Sequence, residues 1–448
     1  MKLTIVGGGG FRVPQVYEAV SGANAPVRID EVALYDVDTG RLDVIARVLG
    51  SMAGRTPHAP RVVATTDLDE ALRGADFVFA AVRVGGTSSR IVDERTALRL
   101  GVLGQETIGP GGLAYALRTV PFMVELARRV RAVAPDAWVI NFTNPAGIVT
   151  EAMRSVLGDR VVGICDTPIG LMRRASSAVG HRATSTPSSP APFDYVGLNH
   201  LGWLRRLDVD GEDGLARLLA DDTTLTSIEE ARLLGLDWVR ALGALPNEYL
   251  YYYYFPREAT ARIRAAAETR GEFLGHQQEA FYRAAAEAED PYATWQDTHR
   301  EREATYMAES RDEHDERDPH DAEGGYHQVA LDLMAALATG RPATMILNVR
   351  NGDLVPQLPD DAVVEVGCVV DADGVHPWPV APLETHMLGL MTSVKAVERL
   401  TITAALEGSA ELAWKAFALH PLVDSVGVAR SLLADYRAAF PDLDRRLG

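Results

Sequence analysis

Cysteine is scarce: Cys165 and Cys368 are the whole complement of a 448-residue chain. Two thiols cannot build a disulfide framework, which points to a reducing, cytoplasmic compartment and leaves either thiol available as a ligand. Long apolar runs are missing too. No stretch approaches the roughly 18 residues of a membrane span, and only four residues separate Lys2 from Gly7, too few for the apolar core of a signal peptide. Positive charge is also short, with 44 Lys and Arg against 62 Asp and Glu and a formal charge of −18. Without a local basic patch against that field, nucleic acid and anionic lipid surfaces are excluded as partners. What remains is an ordinary soluble composition, 47% hydrophobic and 24% charged. The length suits two or three domains, or one large α/β domain with a companion. Any anionic substrate must then be held by a few well-placed cations.

The pattern along the chain is strand, turn, helix, repeated. A first apolar strand, Leu3-Thr4-Ile5-Val6, runs straight into Gly7-Gly8-Gly9-Gly10 and then, through Phe11 and Arg12, into a helical pattern that reaches Val20. A second strand at 31–35 ends at Asp36 and leads to a helix over 40–52. A third at 61–64 precedes a helix near 68–73, and a fourth at 76–82 ends at Arg83-Val84-Gly85-Gly86. A long helix over 113–134 leads to a fifth strand at 138–140, and a sixth at 160–164 ends at Cys165-Asp166. Strands alternating with helices imply a doubly wound, Rossmann-like parallel sheet with right-handed crossovers. The expected organisation is an N-terminal domain over 1–170 and an α+β domain over 171–448, with the Ser/Pro-rich stretch 185–192 as a turn or linker and the charged stretch 309–321 as a solvated loop.

A glycine run between a first strand and a helix lets the backbone turn tightly and seat a pyrophosphate on the helix N-terminus. Gly7-x-Gly9 fits, although Arg12 replaces the third glycine of the usual fingerprint. Asp36, closing the second strand, can accept from ribose hydroxyls, which favours NAD over NADP. Ligands of an open parallel sheet collect at the carboxyl ends of the strands. Three such ends carry unusual polar groups here: Arg83 with Gly85 and Gly86, Asn141 with Asn144, and Cys165 with Asp166. Turn chemistry alone explains any one of them. Cys165 and His200, with nearby oxygens, suit an open site for a borderline divalent metal, while the competing reading places a lone Cys and a lone His in core and surface. The run Asn247-Glu248-Tyr249-Leu250-Tyr251-Tyr252-Tyr253-Tyr254-Phe255 reads either as a buried aromatic element or as the wall of a polar cavity that satisfies its hydroxyls.

Taken together, these residues resemble glycoside hydrolase family 4, the NAD- and divalent-metal-dependent glycosidases. The resemblance runs through Ile5–Gly9, Arg83–Gly86, Asp93-Glu94-Arg95, Gly104–Gly112, Asn141–Gly147, Gly163–Pro168, Gly197–Trp203, Tyr249–Tyr253, Thr269-Arg270 and Leu358–Val366, nearly the whole chain. It implies a malate/lactate-dehydrogenase-like architecture, with NAD on Gly7, Gly8, Gly9, Gly10, Phe11, Arg12 and Asp36. Cys165 and His200 become ligands of a divalent metal, usually manganese. Asp166 takes the place of the general acid and Tyr249 that of the base, with Tyr252 and Tyr253 as alternatives, and Arg90, Asn144 and Arg270 take substrate-binding places. The implied reaction is hydrolysis of 6-phosphoglycosides by hydride abstraction at C3, deprotonation at C2, elimination at C1 and addition of water, with the hydride returned in each turnover. The tyrosine pattern resembles the 6-phospho-β-glucosidase branch, while Cys-Asp at 165–166 resembles the α-branch. A homodimer or homotetramer is implied as well. A net 2-hydroxy acid dehydrogenase and a non-catalytic nucleotide sensor are the competing classes; the first lacks a His, Asp and Arg set to grip a carboxylate.

Overall fold

The computed structural model describes residues 1–22, 25–56, 58–180, 192–305 and 325–448; the stretches expected as linker (but for Pro192) and solvated loop lie outside them. Six strands, β1 (Lys2–Val6), β2 (Glu31–Tyr35), β3 (Arg61–Thr65), β4 (Phe77–Ala80), β5 (Trp138–Asn141) and β6 (Val161–Gly163), pair in parallel in the order β6-β5-β4-β1-β2-β3. That is the Rossmann order. The central strands β1 and β4 are apolar and buried on both faces, as crossover helices require. Their helices are α1 (Val13–Ser21), α2 (Thr39–Ala53), α3 (Leu68–Leu72), α4 (Gly86–Arg99), α5 (Gly109–Val133), α6 (Ala146–Leu157) and α7 (Thr167–Ala178).

The sheet does not stop at β6. The C-terminal half supplies β7 (Phe193–Leu198), β8 (Leu201–Val209), β9 (Glu212–Asp213), β10 (Leu245–Pro246), β11 (Ala343–Arg350), β12 (Val363–Asp371) and β13 (Gly374–Pro377). β11 joins β6 antiparallel at Asn348↔Gly163, and β12, β7, β8 and β10 follow outward. One sheet thus spans both halves, and residue 170 falls within α7. Helices of the C-terminal half also close over α5: Leu113 and Leu117 share a core cluster with Val397, Phe417 and Tyr436.

In the first half three helices, α4, α6 and α7, appear where none was expected. α4 shows no apolar stripe because its inward face carries Arg90, Asp93 and Glu94, all buried. These charges are matched inside: Arg118 grips Asp93 through two bonds of 2.9 and 2.7 Å, and Arg90 pairs with Glu94 at 2.7 Å. α6 begins directly behind the Asn144-Pro145 turn. α5 starts four residues earlier than expected, at Gly109, because Pro110 sits in the first turn, where a missing N–H costs nothing.

Candidate functional site

The glycine turn is shaped by its own backbone. Gly7 and Gly8 N–H both donate to Tyr35 O, at 3.0 and 2.7 Å, and Gly10 N–H donates to Gly7 O at 2.9 Å. Gly7 sits at φ +93°, and a Cβ there would lie 2.3 Å from Ala81 O, so only glycine fits. Asp36 accepts from Gly9 N–H at 2.9 Å and from Asp38 N–H at 3.1 Å, which ties the end of β2 to the turn it faces.

Beyond this turn opens a cavity of about 850 Å³ along the carboxyl ends of the parallel strands. Gly7, Gly9, Gly10, Phe11, Arg12, Asp36, Arg90, Asn144, Cys165, Asp166, His200 and Tyr249 all line it. Two expected residues do not. Gly8 packs against β2, where a Cβ would meet Leu34 Cβ at 2.8 Å. Arg270 donates to Thr305 Oγ1 at 2.7 Å and to Arg302 O at 3.0 Å, so it caps the end of the helix Pro291–Ala304. Phe11 touches the cavity, but its buried ring is wedged between Phe281, at 5.0 Å, and Trp295, at 6.1 Å.

One chain of contacts joins the expected metal ligands to the expected base. Cys165 follows β6 and lies 3.4 Å, Sγ to Oγ1, from Thr167. Thr167 Oγ1 accepts from Asn247 Nδ2 at 2.8 Å, and Asn247 Oδ1 accepts from Tyr249 N–H at 3.0 Å. The Tyr249 ring lies flat on His200, with centroids 3.7 Å apart and planes 11° from parallel. His200 Nδ1 meets Thr107 Oγ1 at 3.0 Å. His200 occupies the turn between β7 and β8 at φ 63°, a left-handed conformation uncommon outside glycine. Burial pushes its imidazole down to about 3 and pushes the Cys165 thiol well up, the latter helped by Glu365 and Asp166.

A neutral, buried imidazole and a thiol facing the same cavity are the donor set a borderline divalent cation takes, and the cation is what would deprotonate the thiol. Among the described residues no group of three or more His, Cys, Asp or Glu is placed to hold a metal ion. The glycine turn equally fits a dinucleotide: Gly7, Gly9 and Gly10 line the cavity with no side chain of their own between the backbone and a ligand.

Of the tyrosine run, Tyr249 alone among the three candidates lines the cavity. It sits in the 3₁₀ turn Glu248–Leu250, and the helix Tyr251–Tyr254 carries Tyr252 into the core and Tyr253 toward His420. Burial, then Glu398, raises the Tyr253 phenol far above its ordinary value, which unsuits it as a base. Asp166 faces the cavity from the start of α7 and accepts from Tyr326 N–H at 3.3 Å.

Sequence reasoning gave no role to Glu106 and Arg302. Glu106 pairs with Arg83 and, at 2.9 Å, with Arg90. Burial alone would raise its pKa, but Arg83, Arg90, Arg302 and Arg12 outweigh it and hold it at about 2. Its loop rests on α5, where a Cβ on Gly111 would come within 2.3 Å of Gln105 O, so the motif Gly109-Pro110-Gly111-Gly112 is the available signal for it. Arg302 also lines the cavity, its guanidinium 5.5 Å above the Phe11 ring. Burial, then Arg12, Arg270 and Arg90, bring its pKa down to about 9, the mark of crowded positive charge. Nothing in the charged stretch around it singles it out.

Comparison with known proteins shows the family. The family 4 glycosyl hydrolase domain matches residues 2–181, and the family 4 glycosyl hydrolase C-terminal domain matches 195–423. A maltose-6'-phosphate glucosidase of Bacillus subtilis is 30% identical, over 99% of this chain and 97% of its own. A solved structure of the 6-phospho-beta glucosidase from Thermotoga maritima, with NAD and glucose-6-phosphate, superposes with a TM-score of 0.84 at 27% identity, over 99% of both chains. A 6-phospho-alpha-glucosidase from gut microorganisms, in complex with NAD and Mn2+, does so at 0.80 and 26%, over 99% of this chain and 98% of its own. The chain belongs to the family 4 glycosyl hydrolases.

Proposed function

We propose that this glycosidase hydrolyses 6-phospho-β-glucosides to glucose 6-phosphate and an aglycone, using NAD and a divalent cation such as Mn2+. The observation that carries the reading is the meeting, in one cavity, of the glycine turn, the Cys165 and His200 pair and Tyr249. When bound, NAD supplies a reversible hydride acceptor and the cation a Lewis acid. The turn and Asp36 seat the dinucleotide, and Cys165 with His200 holds the cation. Tyr249 takes the proton from C2 of the sugar, and Asp166 protonates the departing oxygen. Arg90 and Asn144 bind the sugar, and the phosphate sits against Arg12 and Arg302, where the positive charge is most crowded. Both guanidiniums stack on aromatic rings, Arg12 over Tyr326 at 5.0 Å and Arg302 over Phe11 at 5.5 Å, which holds them extended toward an anion.

A second reading, the 6-phospho-α-glucoside, is favoured by Asp166 next to Cys165. A panel of p-nitrophenyl glucosides, α and β, with and without the 6-phosphate, separates the two. The proposal expects turnover of the phosphorylated β-glucoside above the others; preference for an unphosphorylated sugar overturns it. The cellular setting we propose is the reducing cytoplasm, in keeping with two buried free thiols and with no described helix long and apolar enough to cross a membrane. A homodimer or homotetramer is the proposed assembly, read out by light scattering.

A further inference from the structure

Three carbonyls of the glycine turn and the residues that follow it, those of Gly9, Phe11 and Arg12, are capped by aromatic side chains from the C-terminal half of the chain. Tyr282 Oη donates to Gly9 O at 2.6 Å, Trp295 Nε1 to Phe11 O at 2.8 Å, and Tyr326 Oη to Arg12 O at 2.7 Å, with Gln15 Oε1 also 2.9 Å from that hydroxyl. The donors sit on three separate helices, Arg270–Glu287, Pro291–Ala304 and Tyr326–Thr339. Tyr282 and Trp295 lie behind the turn and are not among the residues that line the cavity. Phe11 is the reciprocal contact, its ring inserted between Phe281 and Trp295.

A trans peptide points its C=O and the next N–H in opposite directions, so fixing a carbonyl fixes the direction of the donor behind it. The bonds to Gly9 O, Phe11 O and Arg12 O therefore fix the peptide units that carry the N–H groups of Gly10, Arg12 and Val13, and they act on the same units as the turn's own bonds from Gly10 N–H to Gly7 O at 2.9 Å and from Val13 N–H to Gly10 O at 3.1 Å. A run of four glycines is the most conformationally free stretch a chain can place at a ligand, and ordering it on binding weakens affinity. External donors order it beforehand. We infer that Tyr282, Trp295 and Tyr326 are positioning residues that hold the dinucleotide turn in its binding shape, so that NAD affinity depends on the docking of the C-terminal helices. By reciprocity, bound NAD tightens that docking. The inference rests on the reading that the turn seats NAD.

The test uses the full chain. Tyr282→Phe removes one oxygen, Trp295→Phe removes the indole N–H together with part of the buried ring, and Tyr292→Phe serves as control. Tyr292 is on the same helix as Trp295, but its hydroxyl bonds Glu18 at 3.1 Å instead of the turn. The dissociation constant for NAD, by calorimetry, is expected to rise roughly three- to ten-fold in each of the first two variants and further in the double variant. The control should stay within about two-fold, as should kcat at saturating NAD in every variant. Hydrogen exchange over 270–304 should slow when NAD binds the parent chain, and less so in the double variant. Should Trp295→Phe fail to fold, Tyr282→Phe carries the comparison. A double variant that melts earlier yet binds NAD as tightly as the parent overturns the inference, because the bonds would then only stabilise the fold. A parent chain that binds no NAD fails differently, and takes down the reading of the turn itself.

Discussion

Replacing Glu106 by Gln removes the counter-charge of an arginine cluster without changing its shape. Glu106 pairs with Arg83 and Arg90, and Arg83 Nη1 already lacks a hydrogen-bond partner. Four-fifths of the Glu106 side chain is out of contact with solvent, so screening by water is limited. A carboxyl whose pKa falls from 4.5 to about 2 on folding contributes about 3 kcal/mol of stability wherever both states are ionised. Because the folded value is the lower one, that contribution is complete above the unfolded pKa and fades as pH drops toward 2. For a chain of 448 residues with an unfolding entropy of about 2 cal/mol/K per residue, the loss corresponds to about 3 °C in Tm. Thermal melts of the parent and E106Q, followed from pH 8 to pH 3, should show a gap of about that size down to pH 5 that narrows below pH 4.5 and falls to roughly half by pH 3. A gap absent at pH 7, or one that persists undiminished at pH 3, would refute the assignment of Glu106 as the ionised partner of Arg83 and Arg90.

Other substitutions separate the parts of the site. Gly7→Ala pushes a methyl against Ala81 O and should abolish NAD binding in a calorimetric titration, whereas a variant that binds normally would move the cofactor elsewhere. Tyr249→Phe should lower kcat by about two orders of magnitude or more while leaving NAD affinity intact; retained turnover would remove Tyr249 as the base. Cys165→Ser should weaken Mn2+ binding, followed by electron paramagnetic resonance, by at least about ten-fold, with unaltered binding counting against the thiol as a ligand. Arg302→Gln should raise KM for a phosphorylated glucoside about ten- to hundred-fold and leave an unphosphorylated one unaffected. Equal effects on both would place the phosphate away from Arg302.

What the sequence discloses here is local. The β1 strand, the glycine turn behind it and the end of β2 at Asp36 were legible as structure because strand, turn and helix are contiguous and each has its own chemistry. The parallel sheet followed from repeating that unit. Cys165, His200 and Tyr249 were legible as a set only through the family resemblance, since they come from the segment after β6, the β7–β8 turn and a 3₁₀ turn, and no spacing rule brings such positions together. Arg302 was illegible because its role depends on Arg12, Arg90 and Arg270 converging on it from three distant segments. Arg270 is outside the lining of the cavity, with its guanidinium bonded to the helix end that carries Arg302. In α4, buried charges occupied the face where an apolar stripe was sought, so the helix that holds Arg90 gave no periodic signal.

The most direct measurement is a cofactor-omission assay on the 6-phosphorylated p-nitrophenyl β-glucoside, under reducing conditions, reading nitrophenolate and reduced nicotinamide at once. The account predicts nitrophenolate release only when NAD and Mn2+ are both present, over many turnovers per bound NAD, with no accumulation of reduced nicotinamide. Full activity after chelation and removal of NAD, or reduced nicotinamide building up in step with product, would contradict it.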